Sequence, residues 1–417
     1  MNRDISTAIF EASKKRIPGG VNSPVRSFPG LDMTPLIAAK GQGAYVWDAD
    51  GHRYIDYCGS WGPLIAGHCH PDVVKAAADQ LLQGSTFGMA TPYEEQLASK
   101  ICSHIPSIEK IRFVSSGTEA TMSALRVARG ATGKSVIIKF IGHFHGHHDS
   151  LLVRAGSGVI QLNPEASSKG VPAGSVKHTL CLPFNDIATC REVIRSRDDI
   201  AAVILEPIAA NMGLVPGDPD FLAMLREETA RKGIILIFDE VISGFRVGLS
   251  GAQGLYGITP DMTCLGKIIG GGFPAAAFAG RADLMDHLAP LGEVYHGGTL
   301  SGNPVAMCAG LATIKLLEQP GFYEALEKKA TRLVEALRQK IPGSVTQVGS
   351  LFTPFFGVTE VRAFTTLDQG LYARFFKHLF AHNIYFVPSP YEANFLSSAH
   401  SEDDIDYTIE AIKKFNQ

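Results

Sequence analysis

From about residue 70 onward the chain alternates between short apolar runs and amphipathic stretches of helical period, and this alternation is what most restricts its fold. Segments 110–114, 134–140, 200–205 and 233–238 read as strands, and segments 71–82, 92–104, 119–130 and 219–232 read as helices. Strands that take turns with helices imply a mostly parallel sheet covered by helices on both faces. A chain of 417 residues exceeds one typical core, so a large α/β domain with a second, smaller part is expected. The N-terminal part is turn-rich, and Gly43–Asp48 followed by Asp50-Gly51 reads as a hairpin. Beyond about residue 312, amphipathic segments 321–340 and 368–382 alternate with short apolar runs and suggest a smaller C-terminal α/β domain. The connection 147–180 is rich in Gly, Ser and Pro and reads as a functional loop or lid over the active site.

Composition closes off several function classes. A net charge of −3 gives no reason to expect nucleic acid or an acidic membrane surface as partner. No apolar run is long enough to span a bilayer, and the first residues lack the apolar stretch of a signal peptide. Seven cysteines at positions 58, 69, 102, 181, 190, 264 and 308 form no CxxC pair, which suits reduced thiols in a cytoplasmic enzyme.

The chemistry is carried by Lys267. It lies in Asp261-Met-Thr-Cys-Leu-Gly-Lys267-Ile-Ile-Gly-Gly-Gly272, downstream of the buried-strand pattern Gly233-Ile-Ile-Leu-Ile-Phe-Asp239. An aspartate at a strand end and a lysine among glycines suit pyridoxal phosphate, which needs a lysine for its Schiff base and an acid to keep its ring nitrogen protonated. A carboxylate such as Asp239 is costly to bury without a cation, and a ring N–H⁺ is one. Ser115-Ser116-Gly117-Thr118-Glu119 sits where a strand runs into a helix, so it offers either an ordinary helix cap or, with free N–H groups and hydroxyls, a phosphate site. His143-Phe-His-Gly-His-His-Asp149 has metal-like spacing but no cysteine or helically spaced carboxylate to complete a set. A ring packed on a planar cofactor is the better reading, and no metal is expected.

These residues resemble those of the class III, fold type I pyridoxal phosphate enzymes, the ω-aminotransferase branch. More narrowly, the chain is similar to the aminomutase family that acts on glutamate 1-semialdehyde. The similarity runs from Gly19-Gly-Val-Asn-Ser-Pro-Val-Arg26 through 113–129 and 295–304 to Pro388-Ser-Pro-Tyr-Glu-Ala393 and 397–407. The resemblance implies a large domain over 70–312 built on a mostly parallel, seven-stranded sheet flanked by helices. It also implies a small α/β domain made from the two chain ends, 1–69 and 313–417. Residue by residue, it makes Lys267 the Schiff-base lysine and proton shuttle and Asp239 the partner of the pyridine nitrogen. Val241 packs on one ring face and Phe144 on the other, with His145 beside it. Ser116, Gly117 and Thr118 hold the phosphate, which Thr299 reaches from the neighbouring subunit of a homodimer. Asn211 lies by the ring hydroxyl. Ser23, Arg26, Trp61 and Glu392 shape the substrate site, Arg26 pairing with the substrate carboxylate as guanidinium does well.

Two positions favour a mutase over an ordinary transaminase. Class III transaminases commonly carry Glu-Pro-x-x-Gly-Glu, whereas Glu206-Pro-Ile-Ala-Ala-Asn211 ends in Asn, and Glu392 stands where an α-carboxylate-binding arginine is common. The implied reaction converts glutamate 1-semialdehyde to 5-aminolevulinate through 4,5-diaminovalerate, in tetrapyrrole biosynthesis. The cofactor alternates between pyridoxal and pyridoxamine phosphate, and a transient contact with the upstream glutamyl-tRNA reductase is expected. Phe144 replaces the family's usual Tyr, and His296 its usual Gln. The rival readings are a class III transaminase with a separate amino donor, an epimerase on the same scaffold, and a non-catalytic binding protein.

Overall fold

The computed structural model describes residues 2–153 and 168–416. They fall into two compact units, one of Pro71–Pro320 with Arg362–Phe364, the other of Met1–His70, Gly321–Val361 and Thr365–Gln417.

The first unit is organised by a seven-stranded sheet. Its strands lie side by side in the order Lys110–Val114, Ala276–Gly280, Met262–Leu265, Ile235–Glu240, Ile200–Leu205, Val136–Phe140 and Thr179–Leu182. Only Ala276–Gly280 runs antiparallel to its neighbours; the remaining pairs are parallel. Ile200-Ala-Ala-Val-Ile-Leu205 is buried at all six positions, which explains its continuous apolar run, because such a strand is covered on both faces. The expected helices are present. The Glu94 carboxylate reaches back to accept from the Thr91 N–H at 2.7 Å, which starts Pro92–His104. The helix expected from 119 begins at Gly117, because the Ser116 hydroxyl accepts from the Glu119 N–H and so caps it two residues earlier. Its inner face (Ala120, Ala124, Val127, Ala128) joins the buried cluster with Ile204, Ile237 and Phe278.

Strand Thr179–Leu182 begins inside the connection expected to be loop, and pairs with Val136–Phe140 at the sheet edge. The short turn Asp149–Leu151 and helix Ala173–Val176 also lie in that stretch, and its centre, 154–167, is outside the described residues.

The second unit contains the expected hairpin. Strands Ala38–Gln42, Tyr45–Asp48 and Arg53–Asp56 form an antiparallel meander, and Ile384–Tyr385 adds to Arg53–Asp56 in parallel. The Asp50-Gly51 turn is closed by the Asp48 carboxylate, which accepts from the N–H groups of Asp50 and His52. A separate antiparallel sheet joins Gly343–Val348, Leu351–Phe356 and Asn394–Phe395. Helices Phe322–Lys340, Gln369–Ala381 and Glu402–Lys413 complete this unit, with Phe356, Phe375 and Phe386 in its aromatic core. Among the described residues, no helix of either unit is long and apolar enough to cross a membrane.

Candidate active site

In the sheet of the first unit, Ala276–Gly280 is antiparallel to both neighbours, so Lys110–Val114 points the same way as the five parallel strands. The segments that follow six strands therefore leave from one edge. The ends of five of these strands, or the segments just beyond, carry Ser116–Thr118, Phe144–His147, Glu206–Asn211, Asp239–Val241 and Gly266-Lys267. Ligands of open α/β sheets gather at this edge.

Asp239 lies near the end of the strand Ile235–Glu240 and is buried. Its Oδ1 accepts from the Val241 N–H at 3.1 Å and its Oδ2 lies 2.7 Å from His145 Nδ1. Burial pushes the Asp239 carboxyl up to about 7, against the weaker pull of the Val241 N–H and of Lys267. The charged form therefore wants a nearby cation. Burial drives His145 well below the usual imidazole range, so its ring is neutral. With the carboxylate accepting, the ring proton is on Nδ1, and Nε2 is buried with no partner among the described residues.

Val241 ties three features together. A Cβ built on Gly117 would lie 3.3 Å from its methyls, and one on Gly266 would lie 3.1 Å away. Glycine at both positions lets the start of the Gly117–Thr132 helix and the residue before Lys267 close on Val241 from two sides without pushing its methyls aside. On the next strand the register places Asp239 beside Cys264, three residues before Lys267. Lys267 itself is partly buried and holds φ 49, a left-handed conformation that non-glycine residues adopt at a cost and that clusters at functional sites. Thr118 Oγ1 accepts from the His147 N–H, and Thr121 Oγ1 donates to the His145 carbonyl at 2.7 Å, so the 144–147 loop is fastened to the helix that begins at Gly117.

Glu206 was singled out in the sequence only as part of a motif. Buried, it accepts from the Phe144 N–H at 2.8 Å, the Asn211 amide at 2.9 Å and the Ala210 N–H at 3.2 Å. One carboxylate thus fixes both Phe144 and Asn211, and burial, with Asp239 nearby, raises it to about 7. His143 Nδ1 accepts from the Glu206 N–H. His143 and His145 each have a partner of their own, and among the described residues no group of three or more His, Cys, Asp or Glu could hold a metal.

Lys139 was not singled out either. It is fully buried, and its Nζ donates to the carbonyls of His143, Leu151 and Val153 at 3.1, 3.2 and 2.7 Å. Nothing in its apolar surroundings in sequence distinguishes it from a strand-edge lysine. Lys139→Met leaves three carbonyls without that donor and is expected to destabilise the protein by roughly 3 kcal/mol. Urea denaturation of the cofactor-free protein checks this; an unchanged midpoint and slope would show the contacts to be inconsequential.

Thr299 is exposed on the loop before helix Pro304–Leu317, in a crevice of about 460 Å³ that it shares with Phe87 and Met89. His296 lies beside Arg112 and the Phe278 ring. Ser23, Arg26, Trp61 and Glu392 belong to the other unit. There Ser23 precedes the short turn Pro24–Ser27, Arg26 is exposed, Trp61 has φ 68, and the Glu392 carbonyl accepts from Thr353 Oγ1.

Residues 28–388 match the family described as aminotransferase class-III. The chain belongs to the class III aminotransferase family. It is 50% identical over 426 residues to a glutamate-1-semialdehyde 2,1-aminomutase of Protochlamydia amoebophila (strain UWE25), covering 100% of this chain and 99% of that one. Its fold is similar to that of a transaminase with PLP bound (TM-score 0.89, 32% identity, 99% of this chain and 97% of that one). It is also similar to a glutamate-1-semialdehyde aminomutase variant from Pseudomonas aeruginosa PAO1 in complex with PMP (TM-score 0.85, 25% identity, 98% and 93%). The class III resemblance read from the sequence, and its narrower aminomutase form, are borne out, as is the fold type I architecture.

The residues at the sheet edge of this class III chain fit the cofactor. A buried carboxylate that lacks a strong cation, a helix N-terminus opened by glycine, and a lysine two strands from that helix suit in turn the ring N–H⁺, the phosphate and the uncharged aldehyde carbon of the cofactor.

Proposed function

We propose that this chain is a pyridoxal phosphate-dependent glutamate-1-semialdehyde 2,1-aminomutase, an isomerase that makes 5-aminolevulinate for tetrapyrrole synthesis through 4,5-diaminovalerate. One observation carries the choice of reaction: the full-length 50% identity to a protein of that name. Bound, the cofactor supplies an electron sink and a carrier for the amine.

The chain's own residues supply the rest. Asp239 sets a carboxylate against the ring nitrogen, and the His145 Nδ1–H holds that carboxylate in place. Val241 and Phe144 flank the ring. Ser116, Gly117 and Thr118 bind the phosphate with first-turn N–H groups and hydroxyls, joined by Thr299 of a second copy in a homodimer. Asn211, oriented by Glu206, sits by the ring hydroxyl. Lys267 Nζ would hold the cofactor and, once free, would move a proton between the cofactor carbon and the substrate carbon. Arg26 takes the substrate carboxylate, while Ser23, Trp61 and Glu392 shape its surroundings. A neutral Asn211 and an acidic Glu392 suit a substrate with an aldehyde where an amino acid has its α-carboxylate. This reading puts the enzyme in the cytoplasm, where it meets glutamyl-tRNA reductase transiently.

The test is turnover of glutamate 1-semialdehyde with no added amino donor or acceptor. Sustained 5-aminolevulinate over many turnovers is expected. A single turnover that resumes only with an added amino or keto acid would make the chain a transaminase with a separate donor.

A further inference from the structure

Four successive residues, Gly59, Ser60, Trp61 and Gly62, hold φ of 53, 58, 68 and 109. Two of them carry side chains, and a run of left-handed residues persists only where its surroundings fix it. Asp56 is what fixes the start of this run. It ends the strand Arg53–Asp56 and is 6% exposed. Its Oδ1 accepts from the N–H groups of Cys58 at 2.8 Å and Gly59 at 3.1 Å, which starts the chain into the turn. Its Oδ2 lies 2.7 Å from His68 Nε2.

His68 is itself held. Its backbone exchanges hydrogen bonds with Gly43, at 2.7 and 2.8 Å. Its ring lies over Gly41, where a Cβ would fall 2.4 Å from Nδ1. The far end of the turn is closed by the Trp61 N–H to the Cys58 carbonyl and the Gly62 N–H to the Gly59 carbonyl. Gly62 packs against the Phe395 ring so closely that a Cβ would come within 2.9 Å. The turn is therefore clamped on one side by the Asp56–His68 pair and on the other by Phe395, all within one unit.

We propose that Asp56 and His68 are positioning residues for substrate selection: the carboxylate, braced by the imidazole, holds the 59–62 turn in the one conformation that presents Ser60 and Trp61. The inference rests on the reading of Trp61 as a substrate-side residue.

The test uses the intact protein with Trp47→Phe, which leaves Trp61 as the single tryptophan of a chain that has two. Trp47 lies on the strand Tyr45–Asp48 and serves no proposed role at the site. In this background Asp56→Ala, Asp56→Asn and Gly41→Ala are compared. Asn keeps an acceptor for the Cys58 and Gly59 N–H groups. Gly41→Ala touches neither carboxylate nor turn but displaces the His68 ring. Three quantities are read: Trp61 emission with acrylamide quenching, the Kd for pyridoxal phosphate, and kcat and KM for glutamate 1-semialdehyde.

Asp56→Ala and Gly41→Ala are expected to shift the Trp61 emission and raise KM by roughly tenfold or more, because a small misplacement of a contact residue is costly. The cofactor Kd should stay unchanged and Asp56→Asn should restore most of both signals. Unmoved emission overturns the proposal. So does a shifted emission with unchanged KM, or a cofactor Kd that weakens in step with KM. If Asp56→Ala does not fold, Gly41→Ala gives the same readings. If the parent protein does not turn over the semialdehyde, the functional reading fails. The emission series then still decides: a shift in Asp56→Ala reversed in Asp56→Asn supports the clamp, and no shift refutes it.

Discussion

Lys267→Ala is expected to reduce turnover by on the order of 10⁴-fold, the upper range for loss of a positioned acid–base group. The cofactor should still bind, because the proposed phosphate and ring-nitrogen contacts are assigned to the Gly117 helix and to Asp239, not to the lysine. Lys267→Arg separates two explanations. If Lys267 serves only as a positive charge near Asp239, the arginine variant keeps much of the activity. If its Nζ must lose and regain a proton, arginine, which stays charged, is as inactive as alanine. The second outcome is expected. Steady-state turnover together with absorbance of the retained cofactor distinguishes them, and an arginine variant within tenfold of the parent would remove Lys267 from the proton-transfer role. The left-handed backbone at Lys267, φ 49, fits this view: a conformation that costs stability is retained where the side chain must leave the chain in one direction.

How much of this was legible in the sequence depends on how far apart the interacting groups lie. The apolar strand 200–205 and the capped helix from Pro92 declare themselves within a few residues, through continuous burial and a local Thr-x-x-Glu box. Lys267 and Asp239 stand out as candidates for the same reason, since each has a short composite context. The pairing of His145 with Asp239 spans 94 positions, and that of Phe144 with Glu206 spans 62, so no window of sequence contains them. Glu206 left one signal: a carboxylate directly after a wholly buried strand must find donors. Lys139 and the 59–62 turn left less, because a lysine on a strand and a Gly-Ser-Trp-Gly run both suit ordinary surface segments. Their meaning appears only when a sheet edge or a neighbouring histidine is brought against them.

The second large effect is expected at Asp239. Asp239→Asn keeps the volume and the Val241 contact but removes the charge proposed to face the ring nitrogen, and should lower turnover by roughly 10²–10³-fold, as loss of one preorganised electrostatic partner does. The same substitution has an opposite-signed effect on the cofactor-free protein. In the fold this carboxyl titrates near 7 rather than near 3.8, chiefly because it is buried. Between those values the folded state holds a proton that the unfolded chain has lost, so stability falls as pH rises through that window. The full penalty for the charged form, reached above pH 7, is about 4 kcal/mol. Asparagine carries no such penalty. Cofactor-free parent protein should therefore lose about 2–3 kcal/mol more than Asp239→Asn between pH 5 and pH 8 in urea denaturation, whereas parallel pH profiles would show that the carboxylate is already paired without the cofactor. Glu206 is raised to about 7 chiefly by its own burial, which both proteins share; the part that Asp239 adds is lost in the variant and widens the difference in the same direction. A cation bound at Asp239 removes the penalty. Cofactor binding should thus stabilise the parent more than the variant, and the difference should widen as pH rises: the site is built at the expense of the empty fold and made good by what it holds.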